Sequence, residues 1–77
     1  MPTIARLETC TIYIYAEDHN PPHFHVRSRS GDTVILLIED LSIDEGSVDR
    51  RTLKEARDWA SENKELLVSK WQEINPE

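Results

Sequence analysis

All three histidines of this 77-residue chain fall in one stretch, His19-Asn20-Pro21-Pro22-His23-Phe24-His25-Val26-Arg27-Ser28-Arg29. Imidazole and guanidinium groups gathered this closely can move protons, ligate a metal or hold phosphate oxygens. Their spacing narrows the geometry. Side chains alternate along a strand, so if residues 23 to 29 are extended, His23, His25, Arg27 and Arg29 project to one side and Phe24, Val26 and Ser28 to the other. Phe24 and Val26 suit a core. The four cation-forming groups are then left on a wetter face, about 6.6 Å from one to the next at ordinary strand rise.

Such a row supports three kinds of chemistry. In the first, Arg27 and Arg29 offer planar forks of donors to phosphate while His19, His23 and His25 donate to the same oxygens. Tyr13 and Tyr15 would stack on bases if their strand is adjacent and in register, making a face for RNA or a nucleotide phosphate. In the second, His23 and His25 act as acid and base in a metal-free ribonuclease or phosphodiesterase, with Glu17 or Asp18 orienting an imidazole and an arginine stabilising the developing charge. In the third, His19, His23 and His25 bind zinc and leave one coordination position open. His-x-His is a short motif of little specificity, and no cofactor is demanded by these residues. A plain structural account competes with all three. Pro21 and Pro22 fix two φ angles and push Asn20 toward an extended conformation, which makes a stiff corner before a strand. The arginines would then pair with the chain's own carboxylates, and the tyrosines would pack under helices. Whether the chain is an enzyme or a binding module stays open at this level.

The elements that must carry the row can be read from periodicity. Cys10, Ile12 and Ile14 alternate with Thr11, Tyr13 and Tyr15, a period of two that predicts a half-buried strand, and Thr3 to Arg6 can pair with it across a turn at Leu7 to Thr9. Residues 23 to 29 form the next alternating segment, closed by Ser30-Gly31-Asp32. The run Thr33 to Glu39 is apolar at every position from Val34 to Ile38, which predicts a central strand covered on both faces. A short edge strand over Leu41 to Glu45 ends at Gly46. From Asp49 the period lengthens, with Leu53, Ala56, Ala60, Leu67, Trp71 and Ile74 on a helical face. Asp49 is the expected N-cap, with Thr52 and its Glu55 capping box as the alternative start. Ser61 and Asn63 predict a break, giving helices over about 50–61 and 64–74. The class is α+β: an antiparallel meander of four to five short strands followed by a C-terminal helical segment packed on one sheet face, in one domain over residues 1–77.

Composition limits the setting. A chain this short has one modest core and leans readily on an oligomer or a bound ion. Cys10 is the only cysteine, so no disulfide forms within the chain, and a lone cysteine inside an apolar run fits a reducing cytoplasm. Neither a basic leader nor a membrane-spanning apolar run is visible, so a soluble cytoplasmic protein without a membrane role is expected. The net charge is -6. It is unevenly placed: Arg6, Arg27 and Arg29 balance Glu8, Glu17 and Asp18 in the first thirty residues, so the whole acidic excess follows residue 30. Global charge therefore does not argue against an anionic ligand on the histidine-bearing part.

The opening segment Met1 to Arg27, with its Asp18-His19-Asn20-Pro21-Pro22-His23-Phe24-His25-Val26-Arg27 core, the Arg50-Arg51 pair and the helices around Trp59 and Trp71, resembles the small bacterial family catalogued as domain of unknown function 4160. The likeness extends over nearly the whole chain. It implies a compact single-domain protein whose gene neighbours one for a second small protein, in an arrangement similar to toxin-antitoxin or regulatory pairs. The segment from Thr33 to Asp40 is more apolar here than the resemblance leads one to expect, which points to a protein partner or a homodimer covering the second sheet face.

Overall fold

The computed structural model describes residues 3–16 and 20–76. Five strands, β1 (Thr3–Arg6), β2 (Cys10–Tyr13), β3 (His23–Ser28), β4 (Thr33–Leu37) and β5 (Ile43–Gly46), precede two helices, α1 (Arg50–Glu62) and α2 (Lys64–Ile74). The strands form one antiparallel meander in the order β1-β2-β3-β4-β5. The α+β architecture read from periodicity is the one observed.

Alternation decides which side of the sheet is dry. Cys10, Ile12, Ile14, Phe24, Val26, Val34, Leu36 and Ile38 are buried and form one core with Ala56 and Ala60 of α1 and Leu67 and Trp71 of α2. Ile4, Ala5, Leu53, Trp59 and Ile74 pack around its margin. One expectation for β4 needs correction. Val34, Leu36 and Ile38 are buried, but Ile35 and Leu37 are only half-buried, so the continuous apolar run is covered on one face, not two. Both helices pack on the same side of the sheet, and among the described residues no element lies across the other.

Two caps shape the helical half. Asp49 is the N-cap of α1, accepting from Thr52 N at 3.1 Å and from Thr52 Oγ1 at 2.6 Å. The alternative capping box at Thr52 does not form, because Glu55 is drawn away to the β1–β2 turn, where Oε1 accepts from Thr9 N at 2.7 Å and Thr9 Oγ1 at 2.5 Å. Asn63 ends α1, its backbone N–H donating to Ala60 O, and the chain restarts at Lys64. Two further tethers hold the sheet to the helices: Arg57 Nε donates to Leu41 O at 3.0 Å and Asn75 Nδ2 to Tyr15 O at 3.0 Å. Lys64 Nζ also donates to Glu39 O.

Gly46 illustrates how the β4–β5 edge is closed. Its φ is +83°, and a Cβ there would stand 2.4 Å from Thr33 O, the carbonyl that accepts from Ser47 N at 3.0 Å. Gly31 shares a positive φ of +99° but faces open space. Gly46→Ala should therefore cost about 3 kcal/mol or more through strain and displacement of β5, and Gly31→Ala only about 1 kcal/mol. Urea melts of the two variants check the order, and equal costs would refute the clash. A second expectation concerns acid. Hydrogen bonds from Thr52 hold the Asp49 carboxyl, and hydrogen bonds from Thr9 the Glu55 carboxyl, below the usual carboxylate range. A carboxyl depressed in the folded state contributes stability above its unfolded pKa and loses it as pH falls through the folded value. Stability should thus fall on acidification below about pH 4, and Asp49→Asn with Glu55→Gln should flatten that fall in melts taken from pH 7 to 3.

Candidate functional site

The helix-free side of the sheet is set by register. On β3 the core takes Phe24, Val26 and Ser28, so His23, His25 and Arg27 are directed to the open side, as alternation predicts. Cross-strand pairing then assembles rows perpendicular to the strands. Tyr13 pairs with His25, His25 with Ile35, and Ile35 with Glu45. The neighbouring row contains Arg6, Thr11, Arg27 and Thr33. His23 pairs with Leu37 at the other end of β3.

The rings on this face touch one another. Tyr13 and Tyr15 lie nearly parallel, with centroids 6.0 Å apart and 11° between planes. Tyr15 meets His25 edge-on at 4.5 Å, and His25 lies 5.3 Å from His23. His23 in turn packs against Trp71 of α2 at 5.1 Å, so the ring cluster is anchored to the core at the strand end. The Pro-Pro corner contributes directly. His23 Nδ1 lies 2.9 Å from Pro21 O, an atom that can only accept, so the ring carries its proton on Nδ1 and, when neutral, presents Nε2 as the acceptor or ligating atom. Pro22 O accepts from Ile38 N at 3.1 Å, tying the corner to the end of β4. The Asn20–Pro21 bond is cis.

Not every residue named from the sequence joins this face. Tyr13, Tyr15, His23, His25 and Arg27 do. His19, with Glu17 and Asp18, lies outside the described residues, so the zinc set His19, His23 and His25 is represented by its last two members only. Among the described residues no group of three or more metal-ligating side chains is gathered. Arg29 is placed differently from the expected row. β3 ends at Ser28, and Arg29 turns to the β1–β2 turn, where Nε donates to Glu8 O at 2.7 Å and an Nη to Leu7 O at 3.3 Å. Its fork is spent on two backbone carbonyls of the turn. The tyrosines do not pack under the helices, nor do the arginines of β1 and β3 pair with carboxylates: neither Arg6 nor Arg27 makes an ion pair or side-chain hydrogen bond among the described residues.

Arg6 is the residue that sequence reasoning passed over. Simple alternation along β1 places it with Ile4 on the core side. A bulge between Thr3 and Ala5 shifts the register, so that Thr3 pairs with Tyr13, Ala5 with Ile12 and Arg6 with Thr11. Ile4 and Ala5 both pack on the core, and Arg6 is re-aimed to the open face beside Thr11. The only trace of this in the sequence is that Ile4 and Ala5 are consecutive apolar residues next to a charged one.

A family model described as a domain of unknown function, DUF4160, matches residues 10–72. No curated protein and no solved structure gives a match. The matched span takes in β2 to β5, α1 and most of α2, and with them every ring of the open-face cluster. On that extent of match, the chain belongs to the DUF4160 family.

Proposed function

We propose that this protein is a small interaction domain whose open sheet face binds phosphate-bearing ligands, RNA foremost, as one member of a regulatory or toxin-antitoxin-like pair. The observation that carries the reading is the assembly of Tyr13, Tyr15, His23, His25 and Arg27 on the side of the sheet opposite the helices. Aromatic rings beside cations on a sheet surface are suited to holding nucleotides. The acidic excess of the chain does not oppose this, since no carboxylate stands on the open side of β1, β2 or β3 among the described residues. Support for a protein partner comes from apolar surface elsewhere: Ile43, Leu66 and Val68 are between 40% and 47% exposed.

A second reading, a histidine-dependent ribonuclease or phosphodiesterase, draws on the 5.3 Å approach of the His23 and His25 rings and on the fixed proton of His23 Nδ1. Two imidazoles and a nearby guanidinium are the groups an acid–base cleavage requires. Binding and turnover separate the two readings.

An NMR titration with a ten-nucleotide mixed-sequence RNA is the direct test. The His23 and His25 ring signals and the Arg27 side chain should shift together and saturate. Arg27→Ala should weaken binding about 3- to 10-fold and lower the salt slope by about 0.7. Arg29→Ala should leave affinity unchanged and lower thermal stability, because its guanidinium serves the turn. Unshifted rings in the wild type would overturn the binding reading. RNA that remains intact after prolonged incubation would overturn the enzymatic one, whereas cleavage lost in His23→Ala or His25→Ala with binding retained would establish it.

A further inference from the structure

The open face is more specific than a general phosphate-binding surface, because its cations and its rings are segregated. Arg6 and Arg27 stand in one row on either side of Thr11, about 10 Å apart at usual strand spacing. Thr33 extends that row on β4. Tyr13 and His25 form the adjacent row, two residues further along the strands, with the rings of Tyr15 and His23 each against His25. A cationic rail thus runs across β1 to β3 with an aromatic floor beside it.

We infer that this face takes single-stranded RNA laid across the strands, with phosphates on Arg6 and Arg27 and bases on Tyr13, Tyr15 and His25. The inference rests on the phosphate-binding reading above and adds the form of the ligand, its direction and the part played by Arg6. Charge complementarity selects a polyanion. Arg6 and Arg27 have no carboxylate partner among the described residues in a chain with 15 acidic side chains, and the nearest acid in the aromatic row, Glu45, belongs to β5 at the far edge. The rings select unpaired bases. Bases in a duplex are stacked on each other and cannot lie on a protein ring, whereas an unstacked single strand offers a face to each aromatic group. The hydroxyls of Thr11 and Thr33, interleaved with the arginines, suit the 2′-hydroxyl that distinguishes RNA from DNA.

The β1 bulge gives the inference its sharpest consequence. A bulge that only ended or twisted an edge strand would leave Arg6 irrelevant to binding. If it exists to complete the rail, Arg6 must count as much as Arg27.

Fluorescence anisotropy with labelled octauridylate (U8), unlabelled competitors and the full chain tests this. Arg6→Ala and Arg27→Ala should each weaken U8 binding to a similar degree and each lower the slope of log K against log salt by about 0.7. Tyr13→Ile, which keeps a strand-forming apolar side chain and removes the ring, should weaken it about 5- to 100-fold. Inorganic polyphosphate and an eight-base-pair RNA duplex should compete at least tenfold less well than unlabelled U8, and dT8 less well than U8. Polyphosphate or duplex competing as well as U8, with Tyr13→Ile unchanged, would overturn the single-strand inference and leave the phosphate-binding reading standing. Full affinity in Arg6→Ala would remove the rail, and tighter binding of dT8 would remove the choice of RNA. No binding of any probe would overturn both readings. Sedimentation of the wild type identifies the rival occupant: a dimer that Tyr13→Ile dissociates, with U8 unbound, would assign the face to a second copy of the chain.

Discussion

The structure depends on one constraint, that α1 and α2 cover a single face of a five-stranded sheet. Twelve apolar side chains, from Cys10 on β2 to Trp71 on α2, make the dry side. Everything that alternates with them must face the other way. On β3 this is decided by Phe24 and Val26, both fully buried. Their burial directs His23, His25 and Arg27 outward as surely as any interaction those residues make themselves. A one-residue slip would bring imidazoles into the core and phenylalanine into water, so hydrophobic register specifies the chemistry of the open face.

The contacts around the face keep it in place from its margins. Trp71 belongs to the core and also touches the His23 ring, so the end of the ring cluster is fixed by α2. The Pro21 carbonyl fixes the tautomer of His23, and the Pro22 carbonyl joins the same corner to β4. At the opposite end of the strands, Glu8 works with both its backbone and its side chain: the carbonyl accepts from Arg29 and the carboxylate pairs with Arg51 at 2.8 Å. That exposed pair contributes little energy alone. Together with the Thr9–Glu55 bonds, it nevertheless defines where the β1–β2 turn lies over the start of α1.

Much of this was legible in the sequence, and the failures are instructive because each has a physical source. Alternation identifies β2 and β3 and the sidedness of their residues, and Asn63 marks the helix break, while Ser61 lies within the last turn of α1. The apolar run of β4 misled, since Ile35 and Leu37 satisfy a pattern for two-sided burial while the helices reach only one side. Apolar pattern reports what a residue tolerates, not what covers it. Alternation places Arg29 in the row only if it is extended one residue beyond β3, which ends at Ser28. Arg6 was missed for the complementary reason: a bulge breaks the period of two inside a four-residue strand, and so short a segment leaves no second period from which to notice the break. His19 and its acidic neighbours lie outside the described residues.

Net charge is the remaining lesson, and it concerns scale. At -6 the chain as a whole repels polyanions, and at distances beyond about 8 Å in physiological salt that repulsion is largely screened. A ligand on the open face therefore responds mainly to the charges within one or two strands of it. Among the described residues of β1 to β3 these are Arg6 and Arg27. The carboxylates at the β1–β2 turn and the start of α1 are engaged by Arg51, Thr9 and Thr52. The acidic excess thus bears on the net charge of the molecule, whereas the face itself is governed by which side of β1 and β3 the core occupies. An acidic protein can carry a cationic surface without contradiction when strand register, and not overall composition, decides which charges stand together.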